Sequence, residues 1–140
     1  MATPYGSKSS KRKSVEIAVA NIAAAAADAG TIVIPAACAG HLDINASMGR
    51  VTTSIANATP VGTIVIKHTP SGGSAATVGT YTVNNDDDAG DLVVFTAASG
   101  YESGVNLAAG DTITVSHTQE TGGSAAGAVN VYVEFDMYKL

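Results

Sequence analysis

The densest run of oxygen ligands in the chain is Asn84-Asn85-Asp86-Asp87-Asp88-Ala89-Gly90-Asp91. Carboxylate and amide oxygens beside a glycine are what a Ca²⁺ loop requires, since the ion takes roughly six to eight oxygens and the chain must turn sharply around it. The glycine falls late for EF-hand spacing, and Glu102 is not placed to close such a loop. The segment therefore reads as a solvated hairpin loop built on Asp and Asn turn geometry, with calcium as the alternative. The histidines, His41, His68 and His117, each fall at or near an expected strand end, and none is spaced as His-x-His or His-x-x-x-His. Zinc needs about three or four converging ligands, so these read as surface or strand-edge residues and no metal site is expected.

Nucleophilic catalysis needs a hydroxyl or thiol beside an oriented base. Hydroxyls are abundant, but no Gly-x-Ser-x-Gly elbow singles one out. Glu134 and Asp136 share a strand face and read as outward charges of the kind that discourage stray edge pairing. The glycine-rich runs GGSAATVG and GGSAAGAV lack the Gly-Lys-Ser or Gly-Lys-Thr of a phosphate-binding loop. Neither an enzyme nor a cofactor is expected.

The remaining chemistry is charge. Lys8, Lys11, Arg12 and Lys13 place four of the seven basic residues in the first thirteen positions, with Tyr5 close by and no acid among them. Residues 14–140 hold Arg50, Lys67 and Lys139 against all twelve acids, a formal −9. Lysine and arginine attract phosphate by releasing counterions, but the acidic body opposes duplex binding and no aromatic residue is interleaved to stack bases. Lys8, Lys11, Arg12, Lys13 and Tyr5 are therefore candidate contacts to an acidic protein surface, with no nucleic-acid partner expected.

The elements that must carry these residues are short. At 140 residues the chain fits one domain. Its hydrophobic fraction is 46%, dominated by small residues and without tryptophan, which suits thin sheets packed face to face. Charged residues make up 14%, against about 25% in an average soluble domain, so much of the surface is expected to face other proteins. Lone Cys38 reads as a small buried thiol. The basic stretch followed by apolar residues 15–27 superficially resembles a secretory signal, but Glu16, Asn21 and Asp28 interrupt it, while Val15, Ile17 and Val19 alternate as a strand would. No stretch approaches the roughly 20 apolar residues of a membrane-spanning helix.

Strands are expected at 15–22, 31–34, 41–45, 50–56, 63–68, 79–83, 92–96, 111–117 and 128–138, with turns at 28–30, 71–74, 84–90, 97–104, 108–110 and 121–127. The alanine run 18–27 is the one helical competitor. The last strand is the clearest: Val129, Val131, Val133, Phe135 and Met137 share one face, and Asn130, Tyr132, Glu134, Asp136 and Tyr138 the other. A one-residue slip would bury Glu134 and Asp136, so the register is well specified. The expected fold is all-β, an antiparallel, jelly-roll-like β-sandwich over 15–140 with an extended basic arm, 1–14.

That combination of a short basic arm, a low-charge body rich in Ala, Gly, Thr and Val, and a long final strand resembles the small β-sandwich proteins that decorate or cement bacteriophage heads. The stretch GVNLAAGDTITVSHTQ, residues 104–119, is similar to the loop-then-strand phrase of jelly-roll domains. The resemblance implies a structural protein of the virion, on the capsid surface, often a homotrimer, whose partner is the major capsid protein and which bridges neighbouring capsid subunits without cofactor or turnover. The alternative is a tail-associated or secreted β-sandwich module that recognises a carbohydrate or receptor through its end loops. Sugar sites usually present aromatic platforms, and this chain has two Phe, five Tyr and no Trp.

Overall fold

The computed structural model describes residues 10–22, 26–56, 62–118 and 126–140, and places them in eleven strands and two antiparallel sheets. The first sheet centres on β11 (Ala126–Lys139), flanked on one side by β1 (Lys11–Val19). On its other side β4 (Met48–Ala56) and β3 (Cys38–Leu42) lie end to end, pairing with the first and second halves of β11. Beyond them lie β7 (Leu92–Val94) beside β4 and β9 (Val105–Leu107) beside β3. The second sheet runs β2 (Ala27–Val33), β10 (Thr112–His117), β5 (Thr63–Thr69), β6 (Ala76–Thr82), β8 (Thr96–Ala97). Among these elements only β3 with β4 and β5 with β6 are successive strands of one sheet.

The core follows from the period-two pattern. Ile17, Val19, Val129, Val131, Val133 and Phe135 of the first sheet face Ile64, Ile66, Ile113 and Val115 of the second, all buried. Fully burying each such side chain is worth about 1.5–3 kcal/mol, so many small contacts replace the missing tryptophan. Cys38 is buried, as its surroundings suggest. The β11 register is the one that its alternation specifies, with Glu134 and Asp136 on the outer face.

Several boundaries differ from expectation. β1 starts at Lys11, so Lys11, Arg12, Lys13 and Ser14, assigned above to an arm, are paired with β11; the long β11 offers backbone partners that extend β1 past its apolar alternation. Lys8 and Tyr5 lie outside the described residues. β1 ends at Val19 and β2 begins at Ala27, and no helix occurs among the described residues of 18–27. Asp28, Ala29 and Gly30 lie within β2 rather than in a turn: Val115 pairs with Gly30 and Ser116 with Asp28, so Ala29 is the extra residue of a bulge. The expected strand 92–96 is two strands in two sheets, with buried Phe95 at the crossing. β9 falls between the expected turns 97–104 and 108–110, where no strand is expected; three residues are too few to show a period.

The most consequential departure is at 43–47, where the strand expected over 41–45 instead ends at Leu42. Phe135 pairs with Leu42 and Tyr132 with Met48, so two residues of β11 stand opposite a five-residue excursion. The backbone of Glu134 would lose its ladder partners there, and the excursion supplies others: Ser47 Oγ accepts from Glu134 N–H at 2.9 Å, and Asp43 N–H donates to the Glu134 carbonyl at 3.0 Å. Ser47 Oγ in turn donates to the Asp43 carbonyl at 2.8 Å. The excursion drops Ile44 into the core against Gly79 of the opposite sheet, where a Cβ would meet Ile44 at 2.9 Å.

Candidate functional site

The outer face of the first sheet carries a polar row that crosses four strands. Register places Arg12 of β1 beside Asp136 of β11, Asp136 beside His41 of β3, and His41 beside Asn106 of β9. Arg12 lies 3.4 Å from Asp136 and 3.4 Å from Asp43, the latter presented by the excursion. The imidazole of His41 engages Asn106 at 3.0 Å and donates from Nε2 to the Ser103 carbonyl at 2.8 Å, so both of its ring nitrogens are engaged. Glu134 and Asp136 therefore do not guard an edge as expected: β11 is paired on both sides, and Asp136 is a partner of Arg12.

Lower on the same face the chemistry changes. Met48, Leu92 and Val94 are 41%, 54% and 59% exposed, an unusual state for large apolar side chains grouped together. Met48 is directly opposite Val94 and beside half-buried Tyr132, while Leu92 is opposite Arg50. The 84–91 loop runs along β4 into this strip: Ile55 N–H donates to the Asp87 carbonyl, Ala89 N–H to Ser54 Oγ, and Gly90 N–H to the Val51 carbonyl.

The side chains of that loop mostly serve the loop itself. Asp87 accepts from Tyr81 Oη and from Asn84 N–H, Asp91 accepts from Asp88 N–H, and the Asn84 amide oxygen accepts from Asp86 N–H. Burial, and then the Asp87 carboxylate, push the Tyr81 hydroxyl far above its ordinary value, which keeps it a donor. Among the described residues no three His, Cys, Asp or Glu side chains converge as a metal site would require. Asp86 and Asp88 are exposed, and among the described residues their carboxylates accept no hydrogen bond or ion pair.

A second titratable pair is buried. His68 and His117, read above as surface or strand-edge residues, are each only 9% exposed, because both lie on the inward parity of their strands with Ile66 and Val115. His68 Nε2 donates to Asp111 Oδ2 at 2.8 Å, and Asp111 also accepts from Ala108 N–H at 3.0 Å and Ser71 N–H at 2.9 Å. Burial opposes ionisation of Asp111, but these donors outweigh it and hold the carboxyl below the usual aspartate range. Three segments are tied by one side chain. Asp111 was legible only as a strand start, and nothing in the sequence links it to His68 across 43 positions.

The outer face of the second sheet is hydroxyl-rich. Thr31 and Thr114 hydroxyls meet at 3.0 Å, Ser116 Oγ donates to Asp28 at 2.5 Å, and a shallow groove of about 360 Å³ runs past Asp28, Val65, Lys67, Thr77 and Ser116. Of the residues expected to bind a partner, Lys11, Arg12 and Lys13 are all on β1 and exposed but do not share a face: Arg12 is on the outer face, taken by its carboxylates, whereas Lys11 and Lys13 share the parity of Val15 and Ile17 and have no ion pair among the described residues. The signal missed in the sequence was the apolar strip, since Leu92-Val93-Val94 reads as ordinary strand whichever face it shows.

No family model and no curated protein sequence matches this chain. A solved structure of infectious bursal disease virus, Gx strain, is similar over 95% of this chain at 14% identity and a TM-score of 0.33. This chain covers 36% of that one.

Proposed function

We propose that this chain is a structural virion protein, a decoration or cement protein that binds the outside of a bacteriophage head and bridges neighbouring major capsid subunits. The observation that carries the reading is the outer face of the first sheet, where Met48, Leu92 and Val94 stand exposed on a two-layer platform whose core is closed without them. An apolar strip rimmed by charge is the surface expected of a protein that buries area against others. A cement protein gains from several such contacts, because each one after the first forms at high effective concentration. By the resemblance to head-decorating proteins, the working assembly is a homo-oligomer, a trimer being favoured.

Cosedimentation with assembled heads tests the proposal. The protein is expected to pellet with heads, and Leu92→Asp is expected to reduce the bound fraction. Failure to pellet with heads under any condition, together with retention on a glycan array, would replace this reading by the carbohydrate-binding module.

A further inference from the structure

The two charged regions of the first sheet sit at diagonally opposite corners. β1 begins opposite Met137, at the far end of β11. The 84–91 loop runs beside Val51 and Ile55, which belong to the strand that pairs with the beginning of β11 on its other side. At about 4.8 Å per strand spacing and 3.3 Å per residue, the corners are roughly 30 Å apart. Screening falls off over about 8 Å at physiological ionic strength, so Lys11 and Lys13 do not neutralise Asp86 and Asp88 within one copy. Lys11, Lys13, Asp86 and Asp88 are exposed, and among the described residues the ion pairs of the basic corner belong to Arg12 and not to either lysine.

We infer that copies of this chain associate head to tail, with Lys11 and Lys13 of one copy seated on the 84–91 loop of the next. The apolar strip adjoins that loop, since Asp91 is followed directly by Leu92. Lysine carries a four-carbon stem below its ammonium, so the same two side chains that meet Asp86 and Asp88 cover Leu92 and Val94 with methylene groups. Lys11 and Lys13 share the parity of Val15 and Ile17, whereas Leu92 and Val94 are on the outer face, so the two patches lie on opposite sides of the sheet and the contact is drawn as heterologous, closing into a ring or continuing as an open chain instead of stopping at a two-fold dimer. This deepens the homo-oligomer part of the reading above. It is tested without particles, so that failure of self-association and failure of head binding are seen separately.

The test is light scattering coupled to size exclusion on the purified full chain, over a range of concentration and salt. The wild-type protein is expected to form species larger than a dimer that weaken as salt is raised. Lys11→Glu/Lys13→Glu and Asp86→Lys/Asp88→Lys are each expected to weaken association about tenfold or more, as loss of close charge pairs does. An equimolar mixture of the two variants is expected to recover it, because reversed lysines then face reversed aspartates. Leu92→Lys, at an exposed position, is a second variant expected to dissociate the assembly with an unchanged melting temperature, because it sets a third ammonium against Lys11 and Lys13 and removes apolar contact. A wild-type monomer at every concentration, a species that stops at a dimer, or charge-reversed variants that do not recover on mixing would overturn the inference.

Discussion

Two ionic clusters, one buried and one exposed, hold the same types of group and do different work. Asp111 accepts from His68 and from two backbone amides inside the protein, where each unsatisfied polar group is costly. Arg12 faces Asp136 and Asp43 at 3.4 Å on an open surface, where water competes for every partner. The first cluster fixes loops in place, and the second gives lateral charge balance to an outer face that stays available. Burial decides between the two roles more than the identity of the residues.

The contrast breaks first at Asp111. Replacing it by alanine is expected to cost about 3–5 kcal/mol, the usual effect of removing one member of a buried hydrogen-bonded pair, read as a drop in the urea midpoint. If the loss were under about 1 kcal/mol, the buried cluster would be no different from a surface pair. The pH dependence sharpens the same point. Because the folded carboxyl titrates below its unfolded value, its contribution is complete above the ordinary aspartate value of about 4 and is lost as pH falls through the lower folded value. Thermal melts should therefore show an acid limb starting near that value, and Asp111→Asn should make the limb shallower while lowering stability at neutral pH. The smallest effect belongs to Arg12→Ala, expected to change stability by less than about 1 kcal/mol and by less still at high salt.

Much of the fold was legible where a strand is long and half-buried. Val129 through Met137 alternate for enough residues that only one register hides the valines and leaves Glu134 and Asp136 outside. The legibility ended where non-local geometry takes over. Phe95 lies in an unbroken apolar run, and nothing local says that the chain changes sheets there. The 43–47 excursion is set by Ile44 finding space over Gly79, a neighbour far along the chain. His68 and His117 read as strand-end residues because their inward parity becomes visible only once the sheets are stacked. Of the proposed partner-binding surface, the lysines of β1 were visible as composition, whereas the exposure of Leu92 and Val94 depends on β7 being a short edge strand with no layer outside it among the described residues.

The pairing of β1 with β11 has a mechanical consequence. Lys11 and Met137 sit side by side, so a pull that separates these two ends opens the ladder one rung at a time, like a zip, instead of shearing all rungs together.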